Sequence, residues 1–161
     1  MAFAKLYSAK TKEAIKLFDR VVELQPDNAI AYQNRAEAHQ IAGNWQLAHD
    51  DLTTGITRKA TGDGYLKTAW LLSTCPDPDF FQPKNAMALA KKGQSFDKDS
   101  VTTLEVMAAV SAANGEFEAA VKLQQKAISK VDSAIHLRMD PEAMNIRLAT
   151  YESEEVYLQQ K

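Results

Sequence analysis

Few residues in this chain are of a type that does acid–base or nucleophilic chemistry. The histidines are His39, His49 and His136, and the one cysteine is Cys75. A nucleophilic cysteine needs a positioned base, and no histidine or lysine lies near Cys75 in the sequence. We therefore expect Cys75, which precedes Pro76, to be a small buried residue at a helix end. A single cysteine also excludes an internal disulfide.

Metal and nucleotide sites have equally little support. His49 is followed by Asp50 and Asp51, but consecutive residues of a helix point in different directions and cannot converge on one ion. We expect these three side chains to form a solvated polar face and His39 to be packed in the core. No phosphate-binding glycine loop or His-Glu-x-x-His motif is present, and Gly62–Gly64 is expected to be a linking turn. We expect no enzyme, no cofactor and no metal ion.

The overall charge argues against two further classes of partner. The chain has 161 residues, with 19 basic and 21 acidic side chains and a net charge of −2. No run of basic residues exceeds Lys91-Lys92, so we expect no nucleic-acid partner. No stretch approaches the roughly 18 apolar residues that span a membrane, and no signal peptide is visible. We expect no membrane partner, and the sequence names no compartment.

The elements that would position any site are indicated by small residues at a regular interval. Ala14, Ala48, Ala86 and Ala120 follow one another at 34, 38 and 34 residues, each inside an apolar helical pattern. A period of about 34 residues is typical of helix–turn–helix solenoids. The small residue lets the two helices of one unit cross closely. Such arrays usually present a surface to a partner.

The second unit carries the residues of a known repeat. Asn28 is predicted to cap its first helix, and Gly43 to end that helix. The unit resembles the tetratricopeptide repeat, on the basis of Tyr32, Ala36, Gly43, Trp45, Ala48 and Leu52, and of the preceding Leu24-Gln25-Pro26-Asp27-Asn28. The string from Ala69 to Asp77, Ala-Trp-Leu-Leu-Ser-Thr-Cys-Pro-Asp, is similar to a variant tetratricopeptide pair of many bacterial proteins. The prolines between Ser73 and Pro83 predict a rigid loop in this third unit.

The resemblance implies an all-α fold, a right-handed solenoid of antiparallel helix pairs with a C-terminal capping helix. The units are expected at about 1–28, 29–61, 62–97 and 98–132, and the capping helix at about 140–152. Residues 2–9 resemble only half of a first helix, so the first unit is either natively truncated or cut from a longer protein. We expect the cut.

The capping helix is expected to close the end of the array. Met144, Leu148 and Tyr151 would cover its core, while Asn145, Arg147 and Glu152 face water. From Ser153 onward the chain is polar and is expected to fray.

The resemblance also implies a concave groove that binds a protein or a peptide. Its expected lining is Gln33, Asn34, Glu37, Gln40, Lys67, Trp70 and Glu105. Many members of the family hold a terminal carboxylate with an Asn at the position of Asn34, but Phe3 replaces the Asn expected in the first unit. We therefore expect no carboxylate clamp. Trp70 is either a core residue or an anchor for a ligand.

We thus expect a non-catalytic interaction module whose ligand is an unidentified protein or peptide. The alternative is a structural spacer or a self-association unit of a larger protein.

Overall fold

A computed structural model describes the backbone of residues 2–131 and 140–159, and the side chains of 10–131 and 140–159. Within these residues the structure has eight α-helices and no strand. Their bounds are α1 Ala2–Leu24, α2 Ala29–Ile41, α3 Trp45–Arg58, α4 Gly62–Thr74, α5 Pro83–Gln94, α6 Val101–Ala113, α7 Phe117–Ser129 and α8 Pro141–Glu152. His136 and the side chain of Phe3 lie outside the described residues.

Local capping sets the bounds of the first complete helix pair. The side-chain oxygen of Asn28 accepts a hydrogen bond from the Ala31 N–H at 3.2 Å, as predicted. Gly43 ends the α2 turn with φ +73°, a left-handed conformation that is unfavourable with a side chain. Thr61 caps α4 by accepting from the Gly64 N–H at 3.0 Å. Gly62–Gly64 is therefore the first turn of α4, and the expectation of a linking turn was wrong.

The N-terminal segment differs from the half-helix pair that the repeat spacing implied. Residues 2–24 form one continuous helix, α1. The residues between Ala9 and Ala14 include neither glycine nor proline, so nothing there breaks the helical hydrogen bonds. As a result, α1 packs as a single helix against α2.

The remaining helices stack as antiparallel pairs, α2 with α3, α4 with α5, and α6 with α7, and α8 packs on α7. Ala48, Ala86 and Ala120 are fully buried between paired helices, so their small size permits the close crossing that the spacing predicted. Ala14 is half-buried. The all-α solenoid is confirmed.

The extended connection of the third unit folds back onto the array. It runs from Cys75 to Gln82, and the Gln82 N–H donates to the Leu72 carbonyl at 2.8 Å. Phe80 packs against the core cluster that contains Trp45 and Cys75. Cys75 is 1% exposed, which confirms that it is a packed residue.

The C-terminal residues cover the end of the array and then continue across it. Met144 and Tyr151 of α8 are each 1% exposed, as predicted. The expectation that the tail frays was wrong, because Gln159 is hydrogen-bonded to Thr74 of α4 through both its main chain and its side chain. Tyr157 packs against the apolar cluster around Tyr151, so the tail carries an aromatic residue that the array partly buries.

A cavity on the concave face

One cavity of about 340 Å³ lies between the first helices of successive units. We call it the groove cavity. It receives side chains from α2, α4, α6 and α8, and from the C-terminal tail. Its lining consists of Glu37, Gln40, Ile41, Asp63, Leu66, Lys67, Trp70, Thr102, Glu105, Val106, Arg147 and Gln159. The cavity therefore spans most of the array, and no single helix defines it.

Of the seven expected groove residues, the lining includes Glu37, Gln40, Lys67, Trp70 and Glu105. Gln33 and Asn34 are not part of it. Asn34 is half-buried on α2.

Gln33 was expected on the groove surface, but it is only 2% exposed. Its Nε2 donates to the Thr61 hydroxyl at 3.3 Å. A Cβ atom at Gly64 would lie 2.7 Å from Gln33 Nε2, so the missing side chain of Gly64 leaves the space that the amide occupies. Gln33 thus packs between units and is unavailable to a ligand.

Both cations of the lining are already paired. Lys67 Nζ lies 3.6 Å from a carboxylate oxygen of Glu37 and 3.4 Å from one of Asp63. Arg147 forms an ion pair with Glu105. Three carboxylates and two cations give the lining a net charge of −1 (2 minus 3). A free carboxylate terminus would therefore meet no unpaired cation here, and a charge-based clamp has no support in this cavity.

Arg147 was expected to face water, and this was wrong. Its side chain is 11% exposed, against 15% for that of Glu105. The guanidinium carbon lies 5.5 Å from the centre of the Trp70 ring and 5.7 Å from that of Tyr157. These distances are those of cation–π contacts. The helical spacing of Met144, Arg147 and Tyr151 places all three on one side of α8, and this spacing is the signal that would have found Arg147.

The neighbours of Arg147 are themselves held in place. Gln124 Nε2 donates to Glu105 at 3.3 Å and to the Met144 carbonyl at 3.1 Å. Burial raises the pKa of the Tyr151 hydroxyl well above its usual value, so this group stays neutral. The Glu105–Arg147 pair is consequently a fixed part of the cavity wall.

Trp70 belongs partly to the core and partly to the cavity wall. It packs against the core cluster that includes Leu66 and Val106, and it also lines the groove cavity. The centre of its indole lies 6.1 Å from that of the Tyr157 ring. Part of the ring is therefore structural, and part faces the concave side.

A second polar cluster ties the first three helices together. It contains Asp51, which was expected on a solvated face; that expectation was wrong, because Asp51 is only 6% exposed. Arg35 Nε and Nη2 donate to the two oxygens of Asp51 at 2.8 and 2.6 Å, and Nη1 donates to Asp19 at 2.8 Å. Hydrogen bonding to Asp51 raises the pKa of Arg35 above its ordinary value, so the guanidinium stays charged. His39 Nε2 lies 4.0 Å from Asp51.

His39 is 7% exposed, which confirms that it is packed in the core. Burial lowers the pKa of its imidazole below the ordinary value.

The described part of the chain offers neither a metal-binding group nor a membrane-spanning helix. No group of three histidine, cysteine or carboxylate side chains is placed there to hold a metal ion. No helix among those residues is long and apolar enough to cross a membrane.

The sequence model of the tetratricopeptide repeat matches residues 17–50, which run from the second half of α1 through α2 into α3. The chain therefore contains a tetratricopeptide repeat, and its helices form a solenoid of that type. Such repeats generally mediate protein–protein interaction and are generally non-catalytic. The string from Ala69 to Asp77 lies outside the matched range. No solved structure matches the chain significantly.

Proposed function

We propose that this chain is a non-catalytic interaction module that holds a peptide or a helix in the groove cavity. The observation that carries the proposal is a concave cavity lined by four helices from successive units. Its volume of about 340 Å³ lies near the lower end of the range of about 300–1,000 Å³ that is usual for small-molecule pockets. The cavity wall contains Trp70 and Arg147. Trp and Arg are enriched among the residues that contribute most of the binding free energy of protein interfaces.

The lining divides into an apolar part and a polar part. Ile41, which is 51% exposed, offers apolar contact area beside the buried Leu66 and Val106, and Trp70 provides a rigid ring that loses little entropy on binding. Glu37 and Gln40 lie on the α2 side, where they would set the register of a ligand through hydrogen bonds. In this proposal neither Gln33 nor Asn34 contacts the ligand.

The test is affinity capture from a lysate of the source cell, followed by identification of the retained protein. The groove variant carries Lys67→Ala with Trp70→Ala, and the matched control is Lys91→Ala, which removes an exposed lysine of α5. We expect the native chain and the control to retain the same partner, and the groove variant to retain at most about a tenth as much. Circular dichroism would check that all three have the same helix content. Equal capture by the groove variant would refute the proposal.

One observation favours self-association as the second candidate function. Leu17 and Leu24 of α1 are 66% and 65% exposed, and Ile30 of α2 is 63% exposed. Leu17 and Leu24 are seven residues apart, so they share one side of the helix. Exposed apolar surface of this kind favours association. Sedimentation velocity should then show a mass that rises with concentration, and the increase should disappear with Leu17→Lys and Leu24→Lys. A constant monomer mass would eliminate this candidate.

A further inference from the structure

We propose that the C-terminal segment 154–159, the tail segment, is a built-in competitor for the groove. On this basis the groove's external ligand is an extended peptide with an aromatic residue followed two positions later by a side-chain amide. The inference rests on the proposed function, because it names the ligand class of the same concave surface.

The end of α8 is built to send the tail segment back over the array. The Glu154 N–H donates to the Tyr151 carbonyl at 3.0 Å, and the Glu155 N–H donates to the Thr150 carbonyl at 3.0 Å. Glu154 has φ +57° and is the one non-glycine residue with positive φ among those described. This conformation is unfavourable for a side-chain-bearing residue. The tertiary contacts of the segment that follows therefore have to hold the reversal.

Those contacts are the ones that a groove makes with a bound peptide. The Tyr157 ring packs against Trp70 and beneath the Arg147 guanidinium. Two residues later, the Gln159 N–H donates to the Thr74 carbonyl at 2.7 Å, and Gln159 Nε2 donates to the Thr74 hydroxyl at 2.8 Å. A main-chain hydrogen bond combined with a half-buried side chain is one element of the way in which extended peptides are recognised.

The tail segment also limits access to the groove cavity. Gln159 is part of the lining, and the Tyr157 ring lies against Trp70 at a centroid distance of 6.1 Å and an angle of 43°. A ligand that takes the position beside Trp70 occupied by the Tyr157 ring must therefore displace Tyr157. Only a few contacts resist this displacement, because Glu154, Glu155 and Leu158 are exposed.

The contacts that the tail segment makes with the array indicate the chemistry of a ligand that would replace it. Arg147 lies within cation–π distance of both the Trp70 ring and the Tyr157 ring, so the position beside Trp70 that Tyr157 occupies suits an aromatic ring. Thr74 offers an acceptor carbonyl and a hydroxyl at the end of α4. The net negative lining disfavours acidic residues on the side of the ligand that faces the cavity.

The expected size of the competition can be estimated. A segment tethered by a short linker has an effective concentration on the order of 1 mM. If the same sequence binds as a free peptide with a Kd of about 100 µM, the tethered copy raises the apparent Kd of any competitor about tenfold.

The experiment uses fluorescence anisotropy to measure how a labelled peptide with the sequence of residues 153–161 binds to variants of the 161-residue chain. The released variant carries Tyr157→Ala with Gln159→Ala, and the control is Leu158→Ala, at an exposed position of the same segment. Single Gln159→Ala serves as a second released variant that leaves the apolar cluster intact. We expect the double variant to bind about ten times more tightly than the native chain, Gln159→Ala to bind more tightly than the native chain, and the control to bind like the native chain. Adding Trp70→Ala to the double variant should abolish binding.

Equal binding by native and released chains would overturn the inference, and so would binding that survives Trp70→Ala. The outcome is separable from that of the proposed function. If the peptide behaves as expected while no cellular partner depends on Trp70, the proposed function fails and the tail segment remains an internal ligand. If capture of a partner depends on Trp70 but releasing the tail segment changes nothing, only this inference fails.

Discussion

Replacing Arg35 with methionine tests the polar cluster that joins α1, α2 and α3. The substitution keeps a long apolar side chain but leaves the Asp51 carboxylate, which is 8% exposed, without its bidentate partner. Breaking a buried pair in this way costs about 3–5 kcal/mol. Because the Arg35 side chain is still 18% exposed, we expect the lower end of that range, about 3 kcal/mol. Loss of the pair with Asp19, which is 48% exposed, adds at most about 1 kcal/mol.

The assay is urea unfolding followed by far-ultraviolet circular dichroism, with a double-mutant cycle. Asp51→Leu alone should also destabilise the protein, because it leaves the Arg35 charge partly buried. The double variant Arg35→Met with Asp51→Leu should recover most of the loss, since replacing both members of a buried pair with apolar groups is often neutral.

Two results would refute this reasoning. One is a loss below about 1 kcal/mol for Arg35→Met, which is the value of an exposed ion pair. The other is a double variant whose loss equals the sum of the two single losses, because the residues would then not be coupled.

Three further predictions concern other parts of the array. Burial lowers the pKa of His39 from 6.5, so below about pH 6.5 the unfolded chain binds a proton that the folded chain does not. The free energy of unfolding should therefore decrease as the pH is lowered, by at most about 1.4 kcal/mol per pH unit. Urea unfolding at pH 7 and pH 5.5 measures this decrease, which should be smaller in His39→Gln than in the native chain. The same pH dependence in both chains would contradict the prediction. Gly93→Ala places a Cβ atom 2.6 Å from Leu66 Cγ and 3.1 Å from the Gly62 carbonyl oxygen, which should cost about 1–3 kcal/mol; a Tm equal to that of the native chain would argue against it. Arg147→Met leaves the Glu105 carboxylate, 15% exposed, without its cation and should lower the free energy of unfolding by about 3 kcal/mol. Adding Glu105→Gln should recover part of this loss, and no recovery would show that the two residues are uncoupled.

The fold could be predicted from the sequence wherever it depends on signals from residues close together in the chain. The alanine spacing and the Asn28 cap depend on one helix and its nearest neighbour, and they predicted α2 and α3 closely. The segment before Ala14 was misread because the repeat pattern was given priority over the absence of any helix-breaking residue. Gly62 and Gly64 were taken for a turn because their composition suggests one. The Thr61 cap and the packing of Gln33 against Gly64 instead favour helix from Gly62 onward.

The candidate site was only partly accessible for a different reason. Positions on the first helix of each unit follow from periodicity, so Glu37, Lys67 and Glu105 could be assigned to the concave side. Gln33 could not be excluded without knowing that Gly64 leaves room for its amide. The involvement of Gln159 depends on a contact with a residue far away in sequence, and no local pattern reports such a contact.

The hydrogen bonds between Thr74 and Gln159 connect residues 85 positions apart, in a molecule whose helices otherwise pack mainly on their neighbours along the chain. An array of that kind is expected to open one unit at a time from its ends. Here the last helix cannot separate from the stack unless a bond at the end of α4 also breaks, so the two regions should lose their amide protection together in hydrogen exchange. A ligand that displaced the tail would then do more than occupy a surface. It would uncouple the terminal helix from the middle of the molecule and turn one cooperative unit into two.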